Sequence, residues 1–60
     1  MSLKSLERIL VVDDEADTRR IAQIALQRIG GFDVHICGGG TEAVRTVGRF
    51  NPDLILLDVM

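Results

Sequence analysis

Two four-residue aliphatic runs punctuate the chain, Ile9-Leu10-Val11-Val12 and Leu54-Ile55-Leu56-Leu57. A short continuous apolar run fits a strand buried on both faces. Each run stops at acids: Asp13-Asp14-Glu15 after the first, Asp58 after the second. Behind the first run the spacing changes. Thr18, Ile21, Ala22, Ala25, Leu26 and Ile29 recur at intervals of three and four, which predicts one face of a helix. Arg19, Arg20, Gln23, Gln27 and Arg28 are expected to fill the opposite face. Acids at the start and Arg28 near the end suit the helix dipole, and Gly30-Gly31 predicts a left-handed stop. Val34 and Ile36 then alternate with Asp33, His35 and Cys37. That period of two, with its polar content, predicts an edge strand. Gly38-Gly39-Gly40 breaks it, and Thr41 is expected to cap a second helix. The apolar face of that helix is Ala43, Val44, Val47 and Phe50, and Asn51-Pro52 ends it.

The predicted order is strand, helix, strand, helix, strand. Strands alternating with helices imply βαβ units, an α/β class and a parallel sheet. Right-handed crossovers restrict how the strands are arranged.

Composition removes several function classes. Hydrophobic residues are 47% of the chain and the formal net charge is −2, so an intrinsically disordered segment is excluded. Seven Lys and Arg against nine Asp and Glu, with no Trp or Tyr, leave neither a basic excess nor a stacking platform. No direct nucleic-acid binding by this segment is expected. The apolar runs are far shorter than the roughly 20 residues of a membrane span. Lys4, Glu7 and Arg8 interrupt any apolar leader. One cysteine, Cys37, and one histidine, His35, rule out an internal disulfide and the common zinc spacings. A lone thiol fits a reducing compartment, so a cytoplasmic location is expected. At 60 residues, folds usually lean on a staple or a partner. The chain is therefore expected to fold marginally, to associate, or to belong to something larger.

The chemistry lies in the acids at the strand ends. In a parallel sheet all strand C-termini lie on one edge, and open α/β sheets bind ligands there. Asp13, Asp14 and Asp58 would converge on that edge and repel one another unless a cation joined them. Hard oxygen donors without Cys or His suit Mg²⁺ or Mn²⁺. Mg²⁺ keeps waters and uses few carboxylates, which leaves one aspartate free as a nucleophile toward phosphorus. The ordinary reading, helix caps and turn formers, is preferred for Glu15 and Asp17.

These residues resemble a known family. Ile9 to Glu15, with Arg19 in the next helix, is similar to the opening of a response regulator receiver domain. Pro52 to Met60 resembles the stretch leading into its phosphoacceptor aspartate, and Thr41-Glu42-Ala43-Val44 resembles its second helix. The separation of Asp14 from Asp58 matches as well. The resemblance implies a role in two-component signal transduction. Asp58 would accept a phosphoryl group from a sensor histidine kinase or phosphotransfer protein. Asp13, Asp14 and Asp58 would hold Mg²⁺, with the backbone carbonyl of Met60 as a further ligand. It also implies a flavodoxin-like doubly wound sheet of order 2-1-3-4-5, of which residues 1–60 would be the N-terminal half: strands 1–3 and helices 1–2, in order 2-1-3. The family's Ser/Thr after the fourth strand and Lys after the fifth have no counterpart here. An incomplete switch is therefore expected, with receiver-type aspartyl phosphorylation rather than multiple turnover. The Leu54–Leu57 strand would form an exposed apolar edge inviting self-association.

Competing readings exist. Gly38-Gly39-Gly40-Thr41-Glu42-Ala43 fits G-x-G-x-x-G/A after a strand and before a helix, with Asp58 downstream, as a dinucleotide-binding unit requires. That reading leaves Asp13-Asp14 without a role. A module of the same fold that binds partners without taking up phosphate is another alternative. An aspartate-nucleophile phosphatase fits poorly, because its usual second acid would fall on Glu15. Cys37 and His35 lack a third orienting group, so packing is preferred to a catalytic pair.

Overall fold

The structure, a computed structural model, describes residues 6–58 apart from the side chain of Asp58. Five elements follow in the expected order: β1 (Arg8–Asp13), α1 (Ala16–Arg28), β2 (Asp33–Cys37), α2 (Gly40–Phe50) and β3 (Leu54–Asp58). The three strands form one parallel sheet in the order β2-β1-β3. This is part of a flavodoxin-like doubly wound sheet, in the expected order 2-1-3. β1 is central and pairs on both sides, whereas the equally apolar β3 lies beside it with Leu54, Ile55, Leu56 and Leu57 exposed. Ile9, Leu10, Val11 and Val12 are all buried.

The alternation of β1 splits the core into two layers. Ile9 and Val11 join Val34 on one face, with Ala22 and Leu26 of α1 and with Phe32 packed against them. Leu10 and Val12 join Cys37 and Ala43 on the other, with Phe50 against them. The helices thus lie on opposite faces. The order requires this: the first crossover steps from β1 to one side, the second passes back across to the other, and crossovers of one hand then fall on opposite faces.

Both helices are rotated from the expected faces. In α1 the partly buried positions are Arg19, Ala22, Gln23 and Leu26, while Thr18, Ile21, Ala25 and Ile29 are exposed. In α2, Ala43 is buried and Thr46 and Phe50 half-buried, while Val44 and Val47 stand in solvent. The expected faces hold in part: Ala22 and Leu26 of α1 and Ala43 and Phe50 of α2 pack on the core as expected, and the rest of each expected stripe does not. Two apolar stripes compete on α1, and the small Ala22 beside Leu26 is what lies against the flat β1–β2 surface.

The breaks behave as their residue types dictate. Gly31 has φ 68°, a conformation that costs a residue with a Cβ roughly 1–2 kcal/mol. Its N–H donates to the Gln27 carbonyl at 3.2 Å, and that of Phe32 to Leu26 at 3.1 Å. A Cβ on Gly30 would strike the Phe32 ring. Asn51 closes α2 in the left-handed region (φ 53°, ψ 62°), its N–H donating to Val47. The expected cap at Thr41 is not formed. α2 starts at Gly40 with Gly39 in the cap position and no side-chain cap bond, so Thr41 already lies inside the first turn.

Asp53 ties the start of the sheet together. Its Oδ2 accepts the N–H groups of Glu7 and Arg8, both at 3.0 Å, and its own N–H donates to the Arg8 carbonyl at 2.8 Å. Cys37 is buried, and its thiol donates to Thr46 Oγ1 at 3.4 Å. It is a packing residue, as expected.

Candidate functional site

The acidic edge is assembled by the register of two strands. Asp13 ends β1 and Asp58 ends β3, and the pairing places them directly opposite each other. Adjacent strands run about 4.8 Å apart, so two residues 45 positions apart in sequence become lateral neighbours. Asp14 follows at the first loop position and is exposed. The structure thus brings Asp13 and the Asp58 backbone together, with Asp14 one residue beyond. The expected carbonyl ligand of Met60 lies outside the described residues. Among those residues, no three His, Cys, Asp or Glu side chains form a metal-holding group.

Asp13 is the acid the fold orients most strongly. Only 4% of its surface is exposed. Its Oδ1 accepts the Glu15 N–H at 2.9 Å, a local turn that presents the following residue to solvent. Its backbone carbonyl accepts a bond from Arg19 Nη1 at 2.7 Å. Arg19 is the residue that sequence reasoning misplaced. Its spacing predicts the outer face of α1, yet it is half-buried and its guanidinium reaches back over the end of β1. A Cβ on Gly38 would come within 3.3 Å of that guanidinium. The signal was present: Arg19 lies three residues before Ala22 and seven before Leu26, on the same helical stripe.

Glu15 occupies the cap position of α1 without a side-chain cap bond. Its Oε2 accepts the Thr18 hydroxyl at 3.5 Å. Asp17 sits in the first turn, as the ordinary reading expected. Both acids belong to the helix start.

Topology separates the two ligand sites named from sequence. In the order β2-β1-β3 the connections from β1 and into β3 diverge, and the crevice of an open sheet forms where they part. That crevice lies beyond Asp13, Asp14 and Asp58. Gly38–Gly40 follows β2, at the far edge. A dinucleotide fingerprint belongs in the turn after the first strand, beside the crevice, so the glycine run is in the wrong loop. A Cβ on Gly39 or Gly40 would meet nothing within 4 Å.

The donors fit a small hard cation. Among the described side chains they are the carboxylates of Asp13 and Asp14, with Asp14 open to water, and neither is a thiol or an imidazole.

The chain is similar to known proteins over nearly its whole length. The model of the response regulator receiver domain matches residues 9–60. The DNA-binding response regulator MtrA of Mycolicibacterium paratuberculosis is 48% identical over 54 residues, covering 90% of this chain and 24% of that protein. The protein of the same name from Mycobacterium tuberculosis (strain ATCC 25618 / H37Rv) is also 48% identical, with 23% of its length covered. A probable transcriptional regulator, ycf27, of Porphyridium aerugineum is 46% identical, with 22% covered. The chain therefore spans about a quarter of the length of these relatives. No solved structure matches.

Proposed function

Because this chain belongs to the response regulator receiver domain family of two-component systems, we propose that it carries the phosphoacceptor edge of such a domain, with Asp58 as acceptor. The single supporting observation is the pairing of Asp13 with Asp58 at the ligand edge. The phosphoryl donor is a phosphohistidine on a sensor histidine kinase or phosphotransfer protein. A carboxylate oxygen of Asp58 bonds to phosphorus while the phosphorus–nitrogen bond breaks, and the imidazole leaves with that electron pair. The product is an aspartyl phosphate, formed once per signalling event rather than by multiple turnover.

Asp13, Asp14 and Asp58, with the carbonyl of Met60, would hold Mg²⁺. When bound, the ion supplies positive charge for the phosphoryl oxygens and a template for in-line approach. The protein's own contribution is orientation. The Glu15 N–H holds the Asp13 carboxylate and the Arg19 guanidinium holds its backbone carbonyl, so less freedom remains to be lost on binding.

Residues 1–60 correspond in this reading to strands 1–3 and helices 1–2 of the receiver, acting in the cytoplasm. This segment makes no direct nucleic-acid contact. Among the described residues no helix is long and apolar enough to cross a membrane. Among the described residues β3 pairs on one side, with β1, and Leu54, Ile55, Leu56 and Leu57 are all exposed. Self-association through this strand is part of the proposal.

The test is intact-mass analysis after incubation with a small phosphoramidate and Mg²⁺. One base-labile phosphoryl adduct is expected on the wild-type chain, none on Asp58→Asn, and little after chelation of Mg²⁺. A folded chain that takes up no phosphoryl group would overturn the assignment and favour a binding-only module.

A further inference from the structure

We infer that the outer edge of β2, with the cleft beside it, receives an extended acidic segment of a partner protein. This rests on no part of the phosphoryl reading. Among the described residues β2 pairs only with β1. The Asp33 N–H donates to the Glu7 carbonyl at 2.8 Å. Backbone direction alternates along a strand, so Asp33, His35 and Cys37 direct their polar groups toward β1. Val34 and Ile36 direct theirs outward, where an added strand would pair. Val34 is anchored in the core, which holds this edge in place.

Beside the edge lies an open cleft of about 300 Å³, lined by His35 of β2 and by Thr46, Arg49 and Phe50 of α2. None of the four is acidic. The Phe50 ring is held 5.3 Å from the His35 ring. Arg8 stands 6.0 Å from its centroid and donates to its carbonyl at 3.2 Å. The Thr46 hydroxyl is engaged with the Glu42 carbonyl and the Cys37 thiol. The cleft is therefore lined by an aromatic ring, an arginine and a histidine, with no acid among its lining residues. That chemistry suits the carboxylate of a glutamate or aspartate, whose two oxygens match the guanidinium fork.

The two features are adjacent, because His35 contributes to both. A segment added as a strand along β2 gains backbone bonds from Val34 and Ile36, and alternate side chains face the α2 layer, where the cleft lies. An acidic side chain there would meet Arg49. Asp33, at the start of β2, disfavours a second acid at that end, which fixes the register.

The test is amide NMR of the full ¹⁵N-labelled chain titrated with a capped Thr-Val-Glu-Val-Thr peptide. Saturable shifts are expected at Val34, Ile36 and Arg49. Replacing the peptide's glutamate by lysine should weaken binding at least tenfold. Of two versions N-methylated on alternate residues, one should lose binding. Arg49→Glu should weaken the acidic peptide at least tenfold and restore binding of the lysine peptide, a rescue that mere structural damage would not give. Equal binding of the lysine peptide or of both methylated peptides, glutarate binding as tightly as the peptide, or no saturable shift would each overturn the proposal.

Discussion

Truncating Leu10 to alanine should cost this fold most of its stability. Leu10 is wholly buried at the centre of β1, opposite His35 of β2 and Ile55 of β3. Its side chain packs with Val12, Cys37 and Ala43. The strand is hydrogen-bonded on both sides, so its backbone cannot move in to fill the space left by the missing carbons. The cost then falls in the upper part of the range for buried leucines, about 3–5 kcal/mol. A single core in a chain this short rarely supplies more than about 3–5 kcal/mol in total. Leu10→Ala should therefore lack a cooperative native transition at 25 °C. Leu57→Ala is the matched control. That residue retains 70% of its exposure, so the same deletion should cost under about 1 kcal/mol. Thermal melting by circular dichroism distinguishes the two, since each kcal/mol moves the midpoint of a small domain by about 4–8 °C. A Leu10→Ala chain melting within a few degrees of wild type would refute the assignment of β1 as the two-faced core strand.

Three further outcomes are expected. Asp13→Asn should weaken Mg²⁺ binding, read from amide shifts, by tenfold or more while leaving the far-ultraviolet spectrum unchanged, because an asparagine oxygen still accepts the Glu15 N–H; retained Mg²⁺ affinity would remove Asp13 from the ligand set. Arg19→Ala should cost about 1 kcal/mol of stability, read as a lower urea midpoint, somewhat less than the roughly 1.5–3 kcal/mol of a charged hydrogen bond because Arg19 is partly exposed. Unchanged unfolding would mean that the 2.7 Å contact with the Asp13 carbonyl holds nothing in place. Leu57→Lys should weaken self-association about tenfold in sedimentation equilibrium, since up to about 1–2 kcal/mol of leucine burial is lost and a charge is placed on the edge; indifference to the change would place any contact elsewhere.

Much of the acidic edge was legible because its logic is one-dimensional. A buried strand must be apolar, a strand end must return to polar residues, and parallel strands must end on one side. Asp13 and Asp58 follow from those three facts alone. The two-layer core was equally readable, because alternation along β1 assigns Ile9 and Val11 to one face and Leu10 and Val12 to the other. The helix faces were legible only in part: Ala22, Leu26, Ala43 and Phe50 stood in the expected stripes. Ile21, Ile24 and Ile29 are as apolar as a core stripe, yet they are exposed, and the small Ala22 with Leu26 does the packing. Hydrophobicity reports only that a residue could be buried. Which stripe is buried depends on where the next element approaches.

The sequence by itself determined the element order, the stops at Gly31 and Asn51, and the acids closing β1 and β3. Each of these follows from local sterics and from solvation along the chain. Only the tertiary structure decided that Asp13 lies opposite Asp58, that Arg19 reaches back to the Asp13 carbonyl, and that Asp53 locks the start of the sheet. It also placed the glycine run of residues 38–40 beside the wrong strand for a dinucleotide. These are facts of register and strand order. They depend on which segments meet across dozens of residues, and the spacing of side chains along a single segment carries no record of that.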